Sequence, residues 1–251
     1  MNLMTPALEP LQNLPKAQAA AVVPERYNIY AGVHRALRNL MSDTLLRVGR
    51  LDVSDDDEMD ATLSQLELLL RFCSSHIEHE NDFLHTAIEA RQPAGATRTS
   101  ADHLEHCASI AALGDEAAAL AAASAAERPA RALRLYRHLA LFVAENFQHM
   151  HVEETANAAT LWAHYTDAEL HVVHERLLAT LAPEEHLLMA RWLVPASNPA
   201  ERAGMMRALQ QRTPPEAFLG LLMHLRPHVD AGGWTKLARA VGVSESLGAA
   251  T

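Results

Sequence analysis

The chain has 251 residues, 49% of them hydrophobic and only 5% aromatic, and its formal net charge is −10. This length can bury a substantial core, and an acidic chain without a basic stripe is not expected to bind nucleic acid. No run of about 18 apolar residues occurs, so no membrane-spanning helix is predicted. The N-terminus lacks the basic and apolar regions of a signal peptide, and two cysteines do not make a disulfide framework. We therefore expect a cytoplasmic protein.

The first half of the chain predicts long helices. A first helix is expected to begin at 24–27 and to end near Val48, because its apolar residues recur three or four positions apart. A second is expected to begin at a capping pair formed by Ser54 and Asp57 and to continue unbroken to about Arg91. Its length would be on the order of 50 Å at 1.5 Å per residue.

Two more long helices follow. The third is predicted from about Ser100 to Ala126, and the fourth from Pro129 to about His164. Short turns join all four. The sequence therefore predicts an all-α protein built on an up-down-up-down four-helix bundle.

The pattern changes after the fourth helix. Thr166 and Glu169 form a capping box, and later prolines mark further helix starts. These features predict a C-terminal subdomain of four or five short helices. The expected domains are an N-terminal arm (1–23), the bundle (24–165) and this extension (166–251), which could also form a homodimer interface.

Two His-x-x-x-Glu pairs, His76/Glu80 and His149/Glu153, lie in the second and fourth predicted helices. Residues four apart share one helix face, so each pair can offer an imidazole and a carboxylate to one point. The first and third helices each add a histidine. The six candidate metal ligands are His34, His76, Glu80, His103, His149 and Glu153.

In such a bundle the second and fourth helices run in the same direction. Both glutamates would then lie one turn beyond their histidines, where they could bridge two metals while four imidazoles bind terminally. Imidazole and carboxylate ligands with little thiolate favour iron or manganese over a structural zinc. The alternative, satisfied polar groups in a core, is disfavoured because burying several ionisable groups without partners costs several kcal/mol each.

The six residues, in this order and spacing, resemble the hemerythrin-like (HHE cation-binding) domain over about 25–165. The resemblance implies a four-helix bundle with a non-haem di-iron centre. Oxygen-carrying hemerythrin has His-x-x-x-His on its third helix and His-x-x-x-x-Asp on its fourth. In this sequence Cys107 stands four positions after His103 on the third helix, and the fourth helix carries Glu153 in place of the Asp. The sequence is closer to the variant with Glu on the fourth helix, found in bacterial proteins and in an iron-sensing ubiquitin-ligase subunit. His106 or Cys107 could join the site.

The expected function is binding of O2, or of a related small oxidant such as NO or peroxide, in sensing, storage or scavenging. The expected cofactor is two non-haem iron ions with an oxo or hydroxo bridge, which Mn or Zn could replace, and no catalytic residue is assigned. One alternative is a di-iron enzyme, either peroxidase- or catalase-like or NO-reducing. Others are an iron- or oxygen-responsive regulatory protein and a metal-free structural bundle.

Four neighbours of the candidate ligands have simpler expected roles. Glu154 is expected to be solvated, and His85 to lie at the surface or to support a ligand. Cys73 and Cys107 are expected to be small core residues. A sharper hypothesis places both thiols in the lining of the metal pocket.

Overall fold

The protein is described by a computed structural model in which residues 26–248 can be placed. Throughout this range the regular structure is helical, in nine helices with no strand. The predicted N-terminal arm, 1–23, lies outside the described residues. Within 26–248 no helix combines the length and the apolar character needed to cross a membrane.

Four long helices make up the first part of the fold. Their bounds are Ala31–Gly49 (α1), 56–91 (α2), Thr97–Ala121 (α3) and 128–164 (α4). α1 packs against α2 and α4, and α3 packs against the same two helices, so the four contact one another in a closed ring.

Both α2 and α4 change their hydrogen-bonding pattern partway along. α2 is α-helical over Asp56–His79, π-helical over Glu80–His85 and α-helical again over Thr86–Arg91. α4 has the same order, with its π-helical part at Glu153–Asn157. Each π-helical segment begins at the glutamate of a His-x-x-x-Glu pair, and such segments are frequent at functional sites.

Two apolar clusters lie on either side of a polar layer. Tyr30, which lies just before α1, belongs to one cluster, and Leu37 of α1 belongs to the other. α2 runs the opposite way, from Cys73 in the cluster of Leu37 to Leu84 in the cluster of Tyr30. α3 runs between the two clusters in the same direction as α1, and α4 runs in the same direction as α2. Each fully buried leucine contributes roughly 1.5–3 kcal/mol, so these clusters can offset the cost of the polar layer between them.

Five shorter helices form the C-terminal part. Their bounds are Asp167–Leu178 (α5), Pro183–Ala196 (α6), Pro199–Arg212 (α7), Pro215–Leu225 (α8) and Ala231–Val241 (α9). The predicted capping box of Thr166 and Glu169 is present at the start of α5. α6 packs along α1, and Trp192 joins the core of the long helices. α6 to α9 share a separate core around Trp234.

The predicted starts of the first two helices were wrong by a few residues. α1 begins at Ala31 because Asn28 accepts the backbone N–H of Tyr30 through its side-chain oxygen, at 3.1 Å. α2 is capped by Asp55, which accepts the backbone N–H of Glu58 at 3.0 Å. Ser54 cannot serve as the cap because its hydroxyl donates to Asp52, at 2.6 Å.

The third helix also differs from its prediction. It begins three residues early, at Thr97, and ends at Ala121, five residues before the predicted Ala126. The alanine-rich sequence would continue as a helix, but the hydroxyl of Ser124 donates to Glu127 at 2.7 Å and forms the turn that starts α4.

Candidate metal centre

All six predicted ligands meet in the polar layer. Two groups of side chains place one ligand atom each within 4.8 Å of one another, and both groups contain Glu80 and Glu153. The side chain of His76 is 10% exposed, and the other five are 6% exposed or less. The prediction that residues from four helices converge at one depth therefore agrees with the geometry.

The first group consists of His34, His76, Glu80 and Glu153. His34 Nε2 lies 3.4 Å from Glu80 Oε1 and 3.4 Å from Glu153 Oε2. His76 Nε2 lies 3.3 Å from the same Glu80 oxygen. Two imidazoles and two carboxylates therefore face one point.

The second group replaces the two histidines with His103 and His149. His103 Nε2 lies 3.4 Å from Glu80 Oε2 and 3.7 Å from Glu153 Oε1. His149 Nε2 lies 3.2 Å from Glu153 Oε2 and 3.0 Å from His103 Nε2. Glu80 therefore presents one oxygen to each group, which is how a bridging carboxylate is arranged.

These separations fit atoms that share a cation. Two ligand atoms that each lie about 2.1 Å from one metal are about 3.0 Å apart at a right angle and about 3.4 Å apart at the tetrahedral angle. The distances between ligand atoms of the first group, and those from His149 Nε2 to Glu153 and His103, are 3.0–3.4 Å and fall in this range. The longer contact from His103 to Glu153 would have to shorten slightly.

Several ligand atoms are buried without a hydrogen-bond partner among the described residues. They are His76 Nε2, Glu80 Oε2 and both carboxylate oxygens of Glu153. Leaving one such group unsatisfied costs about 1–3 kcal/mol, and more when it is charged. Four unsatisfied atoms around one point are explained if cations bind there.

The charge states of the side chains also suit a cation. Burial lowers the pKa of His76 to about 4, which leaves the imidazole neutral and able to bind a metal. Burial and the nearby Glu153 raise the pKa of Glu80, but the facing His76, His103 and His34 outweigh them and hold it below its usual value. Glu80 is therefore an anion at neutral pH.

Glu154 supports His34, and the expectation that it is simply solvated was wrong. His34 Nδ1 donates to Glu154 Oε1 at 3.1 Å, so its Nε2 faces the centre. Arg38 holds the same carboxylate with two hydrogen bonds, of 2.6 and 3.0 Å. Adjacent residues point about 100° apart on an α-helix and also point in different directions in this π-helical segment, so Glu153 can enter the centre while Glu154 reaches α1.

Two further acceptors orient histidines in the same way. His103 Nδ1 donates to Asn81 Oδ1 at 2.8 Å, and His149 Nδ1 donates to Asp102 Oδ2 at 3.2 Å. Such partners fix which ring nitrogen is free to bind a metal. These partners were not predicted from the sequence, although Asn81, Asp102 and Glu154 are each directly adjacent to a candidate ligand.

His85 is buried and lies beside the second group. Its ring stacks on that of His103 with centroids 4.7 Å apart, and its Nε2 is 3.9 Å from Glu153 Oε1. Both ring nitrogens are occupied, by the hydroxyls of Thr99 and Ser100 at 3.1 Å each. His85 therefore supports the centre rather than supplying a ligand atom.

His106 and Cys107 occupy different environments. His106 is buried, its ring centroid lies 4.8 Å from that of His149, and its Nδ1 has no partner among the described residues. Cys107 is exposed, whereas Cys73 is buried in the apolar core. We expected both cysteines to be core residues, with the alternative that both thiols line the metal pocket. Both predictions were wrong for Cys107, because it is exposed.

Comparisons with known proteins add no relative: no family model, curated protein or solved structure matches the chain.

Proposed function

We propose that this protein is a hemerythrin-like, up-down-up-down four-helix bundle that holds two non-haem iron ions. His34 and His76 would bind one ion, His103 and His149 the other, and Glu80 would bridge them together with Glu153. The observation that carries the proposal is the pair of overlapping ligand groups that share both carboxylates.

The bundle arrangement is supported by the order in which the helices meet the two apolar clusters. Successive long helices traverse the polar layer in opposite senses, and each contacts two others in a closed ring. Alternating direction with neighbour contacts is what an up-down-up-down topology requires.

The choice of iron is supported by the chemistry of the ligands. Four imidazoles and two carboxylates, with no thiolate in either group, suit iron or manganese better than structural zinc. Two divalent ions carry four positive charges, and the two carboxylates carry two negative charges. The loaded centre would therefore be positive and would attract a further electron-rich ligand. Bound iron would supply the redox chemistry, while the protein orients the imidazoles and limits access of water.

We propose that the function is binding of O2 or a related small oxidant, in sensing, storage or scavenging. The test is the metal content and absorption spectrum of the purified protein, kept anaerobic and then exposed to air. We expect two iron ions per chain and new near-ultraviolet bands after exposure. Zinc, one metal per chain or no metal would contradict the proposal, and rapid turnover of peroxide or NO would favour the enzyme alternative.

A regulatory role is favoured by one further contact. α1 carries His34 and also packs along α6, where the side-chain amide of Asn39 donates to the carbonyl of Trp192 at 3.0 Å. Movement of α1 on metal binding would therefore reach the C-terminal helices. Limited proteolysis with and without iron tests this role, and identical cleavage patterns would count against it.

A further inference from the structure

A small cavity lies between the long helices and the C-terminal part. Its volume is about 50 Å³. Ile29 and Phe72 line it on one side, and Leu177, Leu178 and Met189 line it on the other. The C-terminal part therefore supplies half of an apolar chamber.

The cavity reaches the candidate metal centre. His76 and Glu80 belong to its lining, and His76 Nε2 is one of the buried atoms without a hydrogen-bond partner. A molecule in the cavity would therefore lie next to the ion held by His34 and His76.

His174, on α5, is a polar residue in the opposite part of the lining. Its Nδ1 is hydrogen-bonded to the hydroxyl of Tyr27, and the ring of Tyr27 stacks on His171 with centroids 3.9 Å apart. Burial raises the pKa of Tyr27 to about 12, so its hydroxyl keeps the proton and can donate it. Burial also lowers the pKa of His174, which favours the neutral ring. A neutral ring that accepts at Nδ1 carries its hydrogen on Nε2.

The other polar side chains at this end of the cavity already bond to each other. Ser75 donates to Glu185 at 2.7 Å, so its oxygen can only accept from His79 Nδ1, which lies 3.4 Å away. In its neutral form, a His79 ring that donates at Nδ1 presents Nε2 as an acceptor and not as a donor. His174 Nε2 has no hydrogen-bond partner among the described residues. It is therefore the group best placed to donate to a molecule in the cavity.

We propose that His174 donates a hydrogen bond to a small neutral ligand held in this cavity beside His76, and that α5 and α6 restrict the ligand by size. This inference rests on the proposed function. An apolar cavity of about 150 Å³ holds benzene, so a cavity one third as large fits a molecule of two or three heavy atoms, such as O2 or NO. The C-terminal part would thus complete the ligand site.

The first test needs no metal. Nitrogen-15 NMR of the metal-free protein reports the ring tautomer of His174, and we expect hydrogen on Nε2. The Tyr27→Phe variant removes the donor to Nδ1 and should weaken this preference. Hydrogen mainly on Nδ1 in the unaltered protein would overturn the proposal.

The second test measures NO on iron-loaded protein by stopped flow and infrared spectroscopy. In His174→Phe we expect NO to dissociate roughly fivefold faster, the size of effect expected for one hydrogen bond. The N–O stretching frequency should rise and lose its sensitivity to heavy water. The matched control is His186→Phe, because His186 is an exposed histidine of α6 outside the cavity lining.

A third variant tests the size restriction. Leu178→Trp should fill the cavity and slow NO association without changing the number of iron ions bound. Unchanged dissociation in His174→Phe, or unchanged association in Leu178→Trp, would overturn the corresponding part of this inference while the di-iron proposal stands. Failure of the unaltered protein to bind iron would instead remove the di-iron proposal and this inference together.

Discussion

His103 and His149 bring their Nε2 atoms to within 3.0 Å of each other, while a separate acceptor holds the Nδ1 of each ring. If both Nδ1 atoms carry hydrogens, the two Nε2 lone pairs face each other in a buried site. This is unfavourable unless a proton or a cation lies between them. The acceptors at Nδ1 therefore hold both rings in an orientation that is stable only when a proton or a cation occupies the site.

Glu80→Gln should reduce the metal content from two ions per chain to one or none. Glu80 presents one oxygen to each ligand group, and an amide removes both the charge and one of these oxygens. Elemental analysis of purified protein measures the change. Glu78→Gln is the control, since Glu78 is exposed on the same helix two residues earlier. Two ions retained in Glu80→Gln would contradict the bridging role.

Glu154→Gln should weaken metal binding about 10- to 100-fold, the range found when a group that orients a ligand is lost. The amide keeps the size of the side chain but is a poorer acceptor for His34 Nδ1. Competition with a chelator of known affinity measures the effect. Arg38→Met separates the two contacts of Glu154, because it removes the ion pair and leaves the carboxylate beside His34. We expect a smaller loss for Arg38→Met, and equal losses would assign the effect to the ion pair.

Metal binding should release protons and weaken as the pH falls. Burial lowers the pKa of His34, but the facing carboxylates of Glu153, Glu154 and Glu80 outweigh it and raise the pKa well above its usual value. The pKa of His149 is also raised, because Glu153 outweighs the effect of burial. The His34 ring therefore holds a proton at neutral pH in the metal-free protein and must lose it to bind a metal, and the raised pKa of His149 acts in the same direction.

Calorimetry in two buffers with different heats of ionisation measures this release. We expect at least one proton per chain at neutral pH, with the affinity falling about tenfold per pH unit for each proton released. Equal apparent heats in the two buffers would show that the imidazoles are already neutral, contrary to the raised pKa values.

Arg202→Met should destabilise the C-terminal part by roughly 2–4 kcal/mol, since buried acceptors that lose their donor cost about 1–3 kcal/mol each. The Arg202 side chain is buried and donates to the carbonyls of Val194, Pro195 and Ser197 at the end of α6, at 2.8–3.0 Å. Urea unfolding measures the free energy. Arg207→Met is the control, because Arg207 is exposed and donates to one carbonyl, that of Ala240. Similar losses of unfolding free energy in both variants would show that burying the hydrogen bonds of Arg202 adds no stability.

The sequence alone was sufficient to predict an all-α chain, the approximate positions of its helices and the six side chains that converge. The helices and the two His-x-x-x-Glu pairs follow from local spacing: apolar residues every three or four positions, and a glutamate four residues after a histidine on one helix face. His34 and His103 have no such motif and were chosen as the histidines that the first and third helices add. The helix ends were less predictable, because Asp55 and Ser54 are both good caps and only their contacts decide between them.

The tertiary structure decided which groups surround the centre. Glu154 reaches His34 across 120 positions of the chain, and Tyr27 reaches His174 across 147. No local spacing encodes such pairs, because they depend on how far each helix is rotated and shifted against its neighbours. The sequence therefore specified the side chains that could bind metal, whereas helix packing determined which ring nitrogens face the centre and which cavity adjoins it.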